Sequence, residues 1–498
     1  MSALARASAK RTLEEPSGAD TRPPSNNKTK RQKPAPQYPI IPQGLLNALY
    51  SEYHVLKIWT VARKSLGSAT PPVLYPEYTG KDETYIYRNL DFWTSGFFPG
   101  SLYLLLERQL KYTSATATQP TNPTLHPLQL KHLCEWWTAN LHQNAAKRDT
   151  HDVGFMIAPW ALKAWTLHRD PRAYSSLILA AHSLASRFDE RVQSLRSWDV
   201  CHTKVYSFID PSKDFLVIID NMLNLDLLFW VAHESGDTSL YDKAVAHART
   251  TAKYHIRPNK STLHVVNYDT VTGKPKATFT HQGYSNDSCW SRGQAWGILG
   301  FMQTYQWTRE DGFLTTAREL ADYFLSRLPE DKVPYWDFDA PVDEKTPRDT
   351  SAGMVAACGL VMLYQALKDT EGDEVAARYY LDSALRILQG TVRGFMTRDV
   401  GEFGVDTQGA DLDTCPEDEV MKQPGTLVVS AKGQRSGVNG NGSHAVRVPE
   451  TILDGATVCN YEFASRRWAD HGLVYADYYF LLLGNMLLEM GLVPGVDG

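Results

Sequence analysis

Six stretches of this chain are apolar on nearly every side when read at helical spacing. They are WTSGFFPGSLYLLLE (93–107), HDVGFMIAPWALKAW (151–165), VIIDNMLNLDLLFWVA (217–232), WSRGQAWGILGFMQTY (290–305), TSAGMVAACGLVMLYQAL (350–367) and HGLVYADYYFLLLGNMLLEM (471–490). A helix that is apolar all round must be buried all round. Other segments carry a narrow apolar stripe with charges opposite, as in DTSLYDKAVAHARTTAKYHI, EDGFLTTARELADYFLSRL and DEVAARYYLDSALRILQ. Those suit helices with one face in water.

Periodicity predicts twelve helices, over 43–66, 95–111, 127–144, 153–168, 171–188, 214–235, 238–256, 287–307, 311–328, 350–368, 373–394 and 473–490. Strands are few: LHVVNYDT (263–270) and TLVVSA (426–431). Inner and outer helices alternating in pairs are how solenoids and toroids are written. The expected fold is therefore all-α, a closed (α/α)6 barrel of six inner and six outer helices. An open helical solenoid is the runner-up. In a toroid the entrances of the inner helices gather at one mouth. Here those entrances carry Gly, Trp, Asp, His and Arg, and a mouth of aromatic rings and carboxylates suits a sugar.

The rest of the chain bounds the function class. A net charge of −5 over 498 residues leaves no electrostatic footprint for nucleic acid. No secretory h-region and no apolar run of about 18 residues is found, so no membrane partner is expected. Six scattered cysteines (134, 201, 289, 358, 415, 459) lack CxxC or metal-ligand spacing. They read as free thiols of a reducing, cytoplasmic setting. Residues 1–40 are rich in Pro, Ser, Lys and Arg and cannot bury enough surface to fold alone, so a disordered basic tail is expected. Its KTKRQK run (28–33) reads as a solvated tail or, more weakly, a nuclear address. Residues 41–498 are expected to form one domain with a polar insertion at about 400–472. Sequons at Asn27, Asn259, Asn286 and Asn441 carry no weight without secretion.

Asp220 lies inside VIIDNMLNLDLLFW, and helical spacing puts Leu216, Leu223 and Leu227 on its face. A carboxylate on an apolar face is costly unless paired or functional. A buried ion pair and a general acid of raised pKa both fit. Asp152, in THDVGF, reads as an N-cap or as a second carboxylate aimed at the same cavity. Two close carboxylates split their pKa values, one acid and one ionised. His264 and the His281-Gln282 pair of THQGY can hydrogen-bond a ligand. Arg292 offers a fork for a carboxylate, among Trp93, Trp290 and Trp296. No HExxH, GxGxxG, P-loop or GxSxG occurs, so neither a catalytic metal nor a cofactor is expected.

DFWTSGFFPGSLYLLLE, HDVGFM, IIDNMLNLDLL and THQGYSNDSCWSRGQAWGILG together resemble the unsaturated glucuronyl hydrolases of glycoside hydrolase family eighty-eight, over roughly residues 42–395 and again at 473–490. The resemblance implies a six-hairpin barrel that takes an unsaturated uronic acid oligosaccharide. It implies removal of the terminal 4,5-unsaturated sugar by hydration of its C4=C5 bond. Asp220 would be the general acid and base, and Asp152 would hold ring hydroxyls. His264 and Gln282 would bind near the reacting carbons, Trp93 and Trp296 would wall the ring, and Arg292 would join that wall. The 400–472 segment departs from the family's short connection and leaves substrate preference open. Three rivals remain: an unsaturated rhamnogalacturonyl hydrolase, an ordinary inverting glycosidase with carboxylates about 6.5–9.5 Å apart, and a non-catalytic helical scaffold.

Overall fold

A computed structural model describes residues 41–112, 126–369, 373–397 and 449–493, and the backbone of the strands Glu402–Asp406 and Thr426–Ser430. The basic tail with Asn27, and Cys415 and Asn441 of the polar insertion, lie outside the described residues.

Thirteen α-helices are described: α1 (Gln43–Leu49), α2 (Glu52–Arg63), α3 (Phe97–Lys111), α4 (Pro127–Thr138), α5 (Val153–His168), α6 (Pro171–Ala185), α7 (Leu225–Ser235), α8 (Thr238–Tyr254), α9 (Ser291–Thr308), α10 (Asp311–Ser326), α11 (Thr350–Lys368), α12 (Glu374–Phe395) and α13 (Val474–Glu489). The apolar helices pack in succession: α3 on α5, α5 on α7, α7 on α9, α9 on α11, α11 on α13, and α13 back on α3. Each of the first five carries the amphipathic helix beside it in sequence, α4, α6, α8, α10 and α12. The N-terminal α1 packs on both α12 and α13. One hydrophobic cluster runs through all these helices. Among the described residues one helix, α11, is long and apolar enough to cross a membrane, and 89% of its apolar window is buried against its neighbours.

The structure corrects three predicted helices. The segment 43–66 is divided: Ser51 leaves helical geometry and its hydroxyl accepts the Tyr53 N–H, starting α2 afresh. The segment 127–144 stops at Thr138 and continues as a 3₁₀ turn, Leu141–Ala146. The largest correction is at 214–235. Asp214–Ile218 is a strand, Ile219–Leu223 a 3₁₀ turn, and only Leu225–Ser235 is α-helix. DFLVI is rich in β-formers and pairs with Val265–Asp269, Leu216 opposite Asn267 and Ile218 opposite Val265. Pro275–Phe279 adds a third antiparallel strand. Asp220 therefore sits on a strand-to-helix turn, and Leu216 does not share a helical face with it.

All five described cysteines are free and buried.

Candidate active site

The turn that carries Asp220 is locked to the start of α5. Asp152 occupies the N-cap position of α5, yet its side chain makes no cap hydrogen bond. The Phe155 N–H, which an N-cap side chain commonly takes, donates instead to Asn224 Oδ1 at 3.0 Å. Gly154 makes this possible, because a Cβ there would lie 2.3 Å from Asn224 Oδ1. Gly96, ahead of α3, likewise lets the chain pass where a Cβ would stand 2.2 Å from the Phe155 carbonyl. With Asn224 capping α5, the Asp152 carboxylate is released. It accepts the Thr150 hydroxyl at 2.7 Å and lies 3.2 Å from His151 Nε2. The main-chain N–H of Ile219 donates to the His264 carbonyl, tying the same turn to the sheet.

These elements border a cleft lined by Trp93, Asp152, Trp198, Ile218, Asp220, Gln282 and Arg292. Five of the sequence-predicted residues thus meet in one place: Asp152, Asp220, Trp93, Gln282 and Arg292. Two do not line it. His264 lies behind the wall, its ring 4.4 Å from that of Trp290. Trp296 is fully buried, packed on Phe155 and Tyr479. It follows Arg292 by four residues, so it sits one helical turn, about 5–6 Å, deeper than the floor. The expected ring-walling Trp296 is a support beneath the site. Arg292 also differs from expectation. Its Nη1 and Nη2 already donate to Asp349 and to the Thr457 and Val458 carbonyls, so its charge is paired within the protein.

Two lining groups escaped the sequence reading. Trp198 stands in RSWDV, with no motif to mark it. It enters the cleft because its backbone bridges Thr150 and Leu216. Ile218 reads as plain core. His151 is a third omission: fully buried beside Asp152, it was visible in HDVGF but given no role.

The two carboxylates have opposite electrostatics. Burial pushes Asp220 up to about 7; His151 and Arg292 pull against this, and Asp152 adds to it. Its Oδ1 is buried with no hydrogen-bond partner. Burial alone would raise Asp152 as well. The neighbouring His151, the Thr150 hydroxyl and Arg187 outweigh it and hold Asp152 below the usual range. Near neutrality the cleft therefore holds one carboxyl able to give a proton and one fixed carboxylate. Burial, aided by the charge of Arg292, keeps His264 neutral. Its Nδ1 accepts the His281 N–H at 3.1 Å, so the ring proton sits on Nε2, a buried donor without a partner among the described residues. No group of three or more metal-ligating side chains occurs among the described residues.

No family model matches the chain. An unsaturated glucuronyl hydrolase of Formosa agariphila is 36% identical over 309 residues, covering 61% of this chain and 71% of that protein. An unsaturated chondroitin disaccharide hydrolase of Streptococcus pyogenes serotype M1 is 30% identical over 314 residues, 63% of this chain and 73% of that protein. The crystal structure of an unsaturated glucuronyl hydrolase specific for heparin superposes with a TM-score of 0.67 at 26% identity, covering 91% of this chain and 100% of that one. With a relative above a third identical matched over more than two thirds of its length, this chain belongs to the unsaturated glucuronyl hydrolase family of enzymes.

Proposed function

We propose that the protein removes the terminal 4,5-unsaturated glucuronic acid from lyase-generated oligosaccharides by hydrating the C4=C5 bond. One observation carries this reading: an unpartnered carboxyl raised to about 7 beside a carboxylate held ionised, in one cleft. Asp220, protonated, gives its proton to C4. Positive character then develops at C5 and the ring oxygen, where the fixed negative charge of Asp152 favours it. Water adds at C5 and loses a proton to Asp220, which restores the acid. The resulting hemiketal opens, and the glycosidic link at C1 falls apart.

In this reading Asp152 also accepts ring hydroxyls, and Trp93 and Trp198 wall the sugar. Gln282 serves the reacting side, with His264 behind it, and Trp296 supports the floor. Arg292 contributes positive field. The succession of α3, α5, α7, α9, α11 and α13 with their outer partners supports an (α/α)6 barrel. Residues 41–498 are then one catalytic domain interrupted by a polar insertion.

The test is spectrophotometric, on unsaturated disaccharides from chondroitin, hyaluronan, heparin and ulvan lyase digests. Hydration destroys the conjugated ultraviolet chromophore. Its loss with wild type, and its persistence with folded Asp220→Asn, are expected. Hydrolysis of a saturated glycoside without that loss would establish an ordinary inverting glycosidase instead.

A further inference from the structure

A buried guanidinium, ion-paired to Asp349, ties the cleft to the segment 449–472. Arg292, in the first turn of α9, lies between the rings of Trp290 and Tyr475, 4.6 and 5.4 Å from their centroids. Its Nη1 donates to Asp349 Oδ2 and to the Thr457 carbonyl, both at 2.5 Å, and its Nη2 donates to the Val458 carbonyl at 2.6 Å. Asp349 is the N-cap of α11. Its Oδ1 accepts the N–H groups of Ser351 and Ala352, which leaves Oδ2 for the guanidinium. Both members of the pair are buried, 1% and 0% exposed, so neither is exchanging its partner for water.

The Val458 carbonyl is shared. It also accepts Gln282 Nε2 at 2.8 Å. A carbonyl can take only donors, so it fixes which end of the Gln282 amide faces it. The end left for the cleft is Oε1. An oriented acceptor recognises an O–H group and not a carboxylate.

We propose that Asp349 is a positioning residue: through Arg292 and the Val458 carbonyl it holds the Gln282 amide so that Oε1 faces a hydroxyl of the bound sugar. A planar fork held at one edge by a carboxylate aims its remaining donors. Without Asp349 the fork loses the charged partner that sets its plane, and with it the alignment of the donor that shares the Val458 carbonyl with Gln282. This rests on the reading of the cleft as a site for an unsaturated uronide.

Asp349→Asn keeps a side-chain acceptor for the α11 cap and removes the charge that aims Arg292. It also leaves a buried guanidinium unpaired, so Asp349→Asn/Arg292→Gln, which removes both charges, accompanies it. Measured are KM and kcat on a disaccharide that wild type turns over, thermal midpoints, and crystal structures of wild type and Asp349→Asn. In Asp349→Asn KM is expected to rise about tenfold, the worth of one oriented hydrogen bond, with kcat within about threefold of wild type. The double variant recovers the thermal midpoint without recovering KM. In the crystal of Asp349→Asn the Gln282–Val458 hydrogen bond is lost. An unchanged KM, a KM that recovers with the midpoint, or an intact Gln282–Val458 bond overturns the proposal. Absence of wild-type turnover would remove the reading of the cleft, while the pair of crystal structures would still decide the role of Asp349.

Discussion

The two ends of the inner helices treat a buried carboxylate in opposite ways. At the cleft, Asp220 is buried with one oxygen unpartnered and is pushed up to about 7. At the other end of α3 and α5, Glu107 is equally hidden. It receives Lys111 at 2.9 Å, Lys163 at 2.6 Å and the Asn485 amide at 3.0 Å. Beside it Arg108 donates to the Leu49 and Leu481 carbonyls and to Asn485 Oδ1. Burial raises Glu107 too, but the two lysines outweigh it and bring it down to about 2. Along α5, Asp152 and Lys163 are eleven residues apart, about 16 Å. Over that distance the molecule passes from unmet polar groups to a completed network. Burial sets the cost of a charge, and the partner within reach decides whether it is met. An unmet cost is what a proton donor near neutrality needs.

The comparison breaks first at Asp220. Asp220→Asn is expected to lower kcat about 10³-fold, within the range for a lost general acid, while the thermal midpoint holds or rises. A fall in stability without loss of rate would make Asp220 structural. Next in size is Glu107→Ala, the mirror experiment. It is expected to cost about 2 kcal/mol, less than a fully buried broken pair because both lysines keep some contact with water. Calorimetry should show a midpoint lower by a few °C and steady-state assays an unchanged kcat.

The third prediction concerns pH. A general acid with a pKa raised to about 7 is protonated below that value, so kcat/KM should fall as pH rises through about 7. Asp152 is among the causes that raise Asp220, so Asp152→Asn should move this limb to lower pH. A limb that stays put would remove the coupling. Stability should run the other way. Burial lowers His54 and His247 to about 3 and His255 and His281 to about 4. Their neutral forms favour the fold, so their contribution is whole above the unfolded value near 6.5 and is lost as pH falls toward 4 and 3. Thermal midpoints across pH 4–8 should decline on the acid side. The smallest expected effect separates wall from support: Trp198→Ala should raise KM about tenfold, the loss expected for a stacking aromatic, whereas Trp296→Phe should change KM by no more than about twofold. Equal effects would place both rings against the sugar.

Much of the scaffold was legible because burial on all sides leaves a plain trace in composition. The six all-round apolar stretches became α3, α5, α7, α9, α11 and α13. The predicted strand at 263–270 holds Val265–Asp269. The clearest failure, 214–235, shows the limit. Leucines near Asp220 match helical spacing, yet DFLVI is a strand because a partner strand lies beside it, and pairing is a tertiary fact. The same limit hid Trp198, which reaches the cleft through backbone bridges from two distant segments. It also misplaced Trp296, since periodicity gives the face of a helix but not the depth at which that face meets a cavity.

The sequence by itself determined that this chain would build a helical core, and it marked Asp220 and Asp152 because carboxylates costly to bury stand out against apolar runs; the grouping of Trp93, Gln282 and Arg292 with them came from the family resemblance. Only the tertiary structure decided what those residues are free to do. Asn224 takes over the cap of α5 and releases Asp152, and Asp349 claims the fork of Arg292. Each group has few hydrogen-bond valences, and which neighbour uses them depends on distances of an ångström between segments far apart in the chain.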